Sequence, residues 1–373
     1  MNLRIPGPAP LPQTILDAMH RQTINHRGAE SQAMVKTICT AMQALCGTTG
    51  EIYLMTASGW GGVESALVNT VSPGDSVLCA SSGYFGEEFG AMARLFGADV
   101  TELTFPDGEV VDPDAVAAKL RSMKNVKAVL LTHNESYTGV ANPLKEIAAA
   151  VRANSAALLH VDAVSATGAI ETRMDEWGVD TICTASQKAL MGPPGMALVA
   201  VSERAYRASE LCQNKRYYFH WKDYHEHFKD FTTPTTSALT VIFALAAAAD
   251  MILAEGIDNV YARHERIAAF TRERVRGLGL ELFAHAGHSP TLTAVRMPAG
   301  VSGDDVRAIA RDEHGVEFGA SWYRLQGKLI RIGHMGITAA EDIDHAVEVL
   351  GDVVAQLRAR TQPEKPAKVG AAN

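Results

Sequence analysis

Through the first two hundred residues, short apolar runs alternate with amphipathic stretches. EIYLMT (51–56), DSVLCA (75–80), KAVLLTH (127–133), ALLHVDAV (157–164), DTICTAS (180–186) and GMALVAVS (195–202) read as strands, being short and bounded by turn residues or polar positions. Between them, GVESALVNTV (62–71), EEFGAMARLFG (87–97) and PLKEIAAAVRAN (143–154) place apolar residues at helical intervals. Strand, helix, strand in this order predicts an α/β fold: a mostly parallel, seven-stranded-type sheet covered by helices. ALTVIFALAAAADMILAEG (238–256) reads as a buried helix, too short and too interrupted to be a membrane span.

The texture changes after about residue 255. A helical 259–278 leads to GLELFA, TLTAVRMP, the helix SGDDVRAIARDEHG, a strand pair around VEFGA and KLIRIGH, and a last helix, ITAAEDIDHAVEVLGDVVAQLRA. This predicts a smaller C-terminal α+β domain. The expected organisation is an N-terminal segment near the functional site (1–20), a large domain (21–255), a small domain (256–361) and a disordered tail (362–373).

Composition narrows the function classes. With 34 basic and 42 acidic residues the net charge is −8, which argues against nonspecific binding to nucleic acid or anionic membranes. Five scattered cysteines without a CxxC pair argue against a disulfide framework or a zinc site. MNLRIPGPAPLP lacks the apolar core of a signal peptide, so a reduced, cytoplasmic setting is expected.

Chemistry concentrates at strand ends. Lys188, in CTASQKALMGPPG, is the single charge between Asp180 and Glu203. Such an amine either snorkels to solvent or loses hydration, deprotonates readily and attacks carbonyls to form a Schiff base. Asp162 ends ALLHVDAV and reads either as a cap or as a buried partner for a cation such as a protonated pyridine nitrogen. In TASGWGG (56–62), Ser58, Gly59 and Trp60 put a hydroxyl and backbone N–H groups at a helix N-terminus, a natural phosphate site or simply a tight turn. Arg331, in the apolar KLIRIGHMG, suits either a carboxylate ligand or a structural salt bridge. His220, His225 and His227 lack tetrahedral-site spacing, and His133 and His334 read as satisfied structural histidines.

PGP, ASGWGGVESALVN, SPGDSVL, THNESYTGV, VDAVSATG, RMDEWGVD, SQKALMGPPG and RIGHMG, taken in order over nearly the whole chain, carry a resemblance. The sequence resembles the class V pyridoxal-phosphate-dependent aminotransferases of fold type I, in particular the alanine/serine–glyoxylate group. The resemblance implies that Lys188 holds pyridoxal 5′-phosphate as a Schiff base and shuttles the proton. It implies that Asp162 pairs with the pyridine nitrogen, that Val164 and Phe85 pack on the ring, and that Ser136 lies near the ring hydroxyl. Ser58, Gly59, Trp60 and Gln187 match phosphate-binding positions, and Arg331 matches the arginine that holds the substrate carboxylate. It further implies a homodimer that shares phosphate ligands between subunits. Here the sequence departs: DFTTPTT offers Thr233 and Thr236 without the family's tyrosine three residues earlier.

The implied reaction is ping-pong transfer of an amino group from alanine, serine or aspartate to glyoxylate or pyruvate. Arg324, in SWYRLQ, reads as a contact for a second carboxylate or as a solvated surface charge, and both 220–228 and 321–326 are expected to border the site. Two alternatives stay open: a pyridoxamine–pyruvate aminotransferase-like enzyme, suggested by the run from TAVRMPAGV to GKLIRIGHMG, and a lyase or desulfurase. For the desulfurase, no cysteine follows Cys212.

Overall fold

The protein is described here by a computed structural model that defines residues 1–361; the expected disordered tail lies outside the described residues. In chain order the strands are β1 (Asn2–Arg4), β2 (Glu51–Met55), β3 (Ser76–Ser81), β4 (Asp99–Thr104), β5 (Val126–Thr132), β6 (Asn134–Glu135), β7 (Val140–Ala141), β8 (Leu158–Asp162), β9 (Thr181–Ala185), β10 (Ala197–Val201), β11 (Glu281–Leu282), β12 (Leu292–Arg296), β13 (Val316–Phe318) and β14 (Leu329–Gly333). The expected seven-stranded sheet is present, ordered β2-β10-β9-β8-β5-β3-β4, with β10 antiparallel to both neighbours and the other pairings parallel.

Side chains alternate across this sheet and feed two cores. Ile52, Leu54, Val129, Leu131, Leu159 and Val161 pack on one face. Tyr53, Met55, Ala128, Leu130 and Leu158 pack on the other. Both faces are buried, which is why the runs looked almost continuously apolar. The helix Leu239–Glu255 lies in the first core, as its composition predicts.

Register decides where the chemistry falls. In the parallel pair β8–β9, Asp162 sits opposite Cys183, so the loops carrying Asp162 and Lys188 leave the same edge of neighbouring strands. Loops after β2, β3 and β5 emerge at that edge as well, the usual place for ligands in such sheets.

The C-terminal elements form a second layer around Val295, Val316, Ile330, Ile332 and Leu350. β11, β12 and β14 make an antiparallel sheet. The expected pairing of the VEFGA and KLIRIGH strands is corrected: they share one isolated bridge, Gly319 to Arg331, and β13 instead pairs in parallel with β1 at the N-terminus. The first residues of the chain are therefore woven into its last quarter.

One buried carboxylate ties β8 to β9. Asp180 accepts hydrogen bonds from Arg152, from both Nε and Nη2 of Arg204, from the Leu159 N–H and from the Ser202 hydroxyl. Burial pushes its carboxyl up, but the Arg204 hydrogen bonds, the Leu159 N–H and the two guanidinium charges outweigh that and hold it below 3.8. A carboxyl lowered in the folded state stabilises the fold above its unfolded value, and that contribution is lost as pH falls through the folded value. Asp180→Ala should cost about 3–5 kcal/mol at neutral pH in urea unfolding, with the gap to wild type narrowing in acid. An equal gap at both pH values would remove Asp180 from this role.

Candidate active site

A cavity of about 170 Å³ opens at the carboxyl edge of the sheet, lined by Ser58, Gly59, Trp60, Val63, Phe85, Asn134, Ser136, Asp162, Val164, Ser165, Gln187 and Lys188. Every position expected to surround a ring and phosphate within one chain lies on this wall. Asn134, Ser165 and Val63 are additions.

The phosphate end is the start of the helix Gly59–Thr70. Ser58 is its N-cap; the Gly61 N–H donates to the Ser58 carbonyl at 2.9 Å, while the N–H groups ahead of it, on Gly59 and Trp60, have no acceptor within the helix. Gly59 is required for packing: a Cβ there would lie 2.7 Å from a Val164 methyl and 3.3 Å from Ala185. Two buried acceptors on the wall, Gln187 Oε1 and Asn134 Oδ1, have no protein partner. The set suits a flat polar ring with an anionic tail.

Asp162 is buried, and its Oδ1 accepts the Val164 N–H at 2.9 Å. Burial pushes its carboxyl up to about 6, against the pull of that N–H and of the Lys188 charge. Lys188 borders the cavity and is half-buried. Burial, helped by the Arg331 charge and opposed by Asp162, brings its amine down to about 8. The side chain does not snorkel; Nζ donates to the Pro6 carbonyl.

Arg331 stands one layer behind the cavity. Its Nη1 donates to the Ser136 carbonyl at 2.7 Å, Nε donates to Ala320 at 2.8 Å, and the Trp322 ring covers the guanidinium at 4.5 Å. It makes no carboxylate salt bridge among the described residues, so the structural-pair reading fails. Burial lowers its pKa to about 9, with Glu135 the main opposing charge.

Glu135 was missed, although it too is a lone charge, the only one between Lys127 and Lys145. It is fully buried and accepts three backbone N–H bonds, from Phe85 at 3.0 Å, Gly86 at 3.1 Å and Tyr137 at 3.0 Å. Burial moves it up to about 7 despite these donors. It joins the loop that presents Phe85 to the loop that presents Ser136.

Other expectations are corrected. Arg324 is no free surface charge: Asp107 takes its Nε and Nη2 at 3.1 and 2.9 Å, and Glu87 takes Nη1 at 2.7 Å. Segment 321–326 borders the site through Trp322, whose ring lies 6.1 Å from Phe85. Segment 220–228 does not line the cavity; His225 faces Glu51 at 2.9 Å and stacks on Tyr206. His133 Nδ1 is buried without a protein partner, whereas His334 pairs through Nε2 with the Thr293 hydroxyl at 3.0 Å. Thr233 is buried against Ser237 Oγ at 2.6 Å, Thr236 is exposed, and neither lines this chain's own cavity. Cys212 bonds the Val68 and Val71 carbonyls, away from the cavity, which removes the desulfurase alternative.

The family model for aminotransferase class-V matches residues 2–344. The chain belongs to the class-V aminotransferases. Among relatives of this class-V aminotransferase, the L-aspartate–glyoxylate aminotransferase of Paracoccus denitrificans is 37% identical, with 89% of this chain and 85% of the relative aligned. A Synechococcus protein named soluble hydrogenase, small subunit, is 35% identical over 95% of this chain and 93% of its own length. The alanine–glyoxylate aminotransferase structure from Nostoc superposes with a TM-score of 0.90 at 29% identity, covering 94% of each chain.

Glu135→Ala would leave three buried N–H groups without an acceptor and should lower stability by about 3–5 kcal/mol, while Glu135→Gln, which retains one acceptor oxygen, should cost about 1–3 kcal/mol. Urea unfolding of both variants checks the order. Equal losses would mean that side-chain volume matters there and the acceptor does not.

Proposed function

We propose that this class-V aminotransferase uses pyridoxal 5′-phosphate to move an amino group from a small amino acid to glyoxylate or pyruvate by a ping-pong sequence, as a homodimer in the cytoplasm. One observation carries the reading. A half-buried amine and a buried carboxylate line one cavity together with Ser58, Gly59 and Trp60 at a helix N-terminus.

When bound, the cofactor supplies an electrophilic aldehyde and an electron sink. The chain's residues do the rest. Lys188, lowered to about 8, has a substantial neutral fraction near pH 7–8 and can take the substrate's Cα proton. Asp162, at about 6, is mostly ionised there and would hold a proton on the ring nitrogen. Ser58, the first-turn N–H groups of Gly59 and Trp60, and Gln187 would hold the phosphate; Phe85 and Val164 would flank the ring, with Ser136 near its hydroxyl. Arg331, steadied by two carbonyls and the Trp322 face, would orient the substrate carboxylate.

Arg324 is engaged by Asp107 and Glu87, which supports donors and acceptors with a single carboxylate, held by Arg331. Pairing of two chains is supported by the exposed Leu95, Leu211 and Tyr217, at 82%, 79% and 94% exposure, and by Thr233 and Thr236 lying outside the chain's own cavity. Retention of Ser58, Gly59 and Gln187 supports a tightly held phosphate over free pyridoxamine as the donor.

Steady-state assays of alanine, serine, aspartate and pyridoxamine against glyoxylate, pyruvate and 2-oxoglutarate test this. Parallel double-reciprocal lines are expected, with alanine or serine at least tenfold above aspartate in kcat/KM. Preference for pyridoxamine would establish the competing reading. Arg331→Lys should raise KM for donor and acceptor by about 10-fold or more with a smaller change in kcat. Lys188→Ala should bind the cofactor without the yellow absorbance of the lysine-linked form.

A further inference from the structure

The N-terminal segment between β1 and Ala9 crosses from the C-terminal layer to the catalytic lysine. At one end β1 is paired with β13, Arg4 opposite Phe318. At the other end the Ala9 N–H donates to the Gln187 carbonyl at 2.9 Å, beside Lys188. Between these anchors the segment lies flush on the strand that carries Arg331. A Cβ on Gly333 would stand 2.0 Å from the Ile5 carbonyl oxygen, and one on Gly319, the bridge partner of Arg331, would stand 2.5 Å from the Pro6 ring. Pro6 is buried, with its ring toward Gly319 and its carbonyl accepting the Lys188 amine.

Gly7 follows directly over the lysine. Its φ of +97° is strained for any residue with a side chain, and a Cβ there would meet Lys188 Cδ at 2.6 Å and Nζ at 2.8 Å. The contact therefore depends on a backbone with no side chain between it and the amine. No charged side chain from the segment reaches Nζ; the acceptor is a neutral carbonyl. That choice matters, because a carboxylate in the same place would hold the ammonium form far more firmly.

We propose that residues 5–9 are a positioning strap for Lys188. The Pro6 carbonyl receives the amine whenever it is not joined to the cofactor, Gly7 roofs it against water, and the Pro6 ring fixes this roof to the Arg331 strand. Pro6 and Gly7 thus act through the lysine, and the strap links the lysine to the strand expected to bind the substrate carboxylate. The inference rests on Lys188 being the cofactor lysine.

The test uses cofactor-free full-length protein and pyridoxal 5′-phosphate, following the rate of yellow adduct formation from pH 6 to 11. Borohydride reduction and peptide mapping then locate the adduct. An adduct away from Lys188 would end the functional reading itself, independently of the strap. With the adduct on Lys188, wild type should show a midpoint near 8; a midpoint near the ordinary 10.5 would overturn the strap as a water barrier. Gly319→Ala pushes chiefly on the Pro6 ring, at 2.5 Å, and more lightly on Arg331, whose carbonyl oxygen and Cβ lie at 3.1 and 3.2 Å. It should raise the midpoint by about one unit and slow capture at pH 7 about tenfold, since one unit changes the neutral fraction by that factor. Its melting curve should stay within a few degrees of wild type. Gly7→Ala should slow capture further, because its Cβ intrudes on the lysine directly. Variants that fold and keep the wild-type midpoint and rate would overturn the proposal.

Discussion

A lysine amine that is to act near neutral pH must be kept from water, yet a buried ammonium with no acceptor is too costly to maintain. Lys188 meets both demands at once. Its charge is discouraged by enclosure and by Arg331, is encouraged by Asp162, and has a single weak acceptor in the Pro6 carbonyl. The neighbouring placement of β8 and β9 exists to the same end, because it delivers the amine and the carboxylate to one edge of the sheet. The clasp at Asp180, which joins the start of β9 to Leu159 of β8, keeps those strands in register behind the site.

The second half of the site comes from elsewhere in the chain. β14 brings Arg331 against the Ser136 loop, and the Tyr323–Leu325 turn is held to the large layer where Arg324 reaches Asp107 and Glu87. This turn fixes Trp322, whose ring touches Tyr84, Phe85 and Tyr137 and covers the Arg331 guanidinium. A guanidinium is weakly hydrated and planar, so an aromatic face shields it at little cost while its edges remain available for hydrogen bonds. Arg324 thus serves as a structural tie for the aromatic wall.

The strands that build the large sheet were legible because both of its faces are buried, so alternation gave way to short apolar runs bounded by turns. β4 escaped for the opposite reason: DVTELT is an edge strand, largely polar and half open to solvent. The helix after β2 begins at Gly59, three residues before its apolar pattern does, because glycines occupy its first turn and glycine is a poor sign of a helix. Lys188 and Asp162 were legible as charges that a buried run could not tolerate without purpose. Glu135 obeyed the same rule and was passed over, its donors being backbone groups with no residue signature. The strap was illegible in kind, since its acceptor is a main-chain carbonyl and its anchor pairs residue 4 with residue 318.

Four ionisable groups are wholly or partly buried within this one region: Arg331, Asp162 and Glu135 wholly, Lys188 in part. Two basic and two acidic groups share the region, so each charge that forms there has opposite charge nearby to balance it. The balance is not built from direct ion pairs. Glu135 is satisfied by three backbone N–H groups, Arg331 by two carbonyls, Asp162 by one N–H and Lys188 by one carbonyl. Each charge is therefore held in place by the main chain while its field remains unspent toward the cavity. Had Arg331 closed onto Glu135, or Lys188 onto Asp162, each charge would be spent on its neighbour and would present less to a ligand. Main-chain partners in place of salt bridges are the feature that separates this cluster from a structural one.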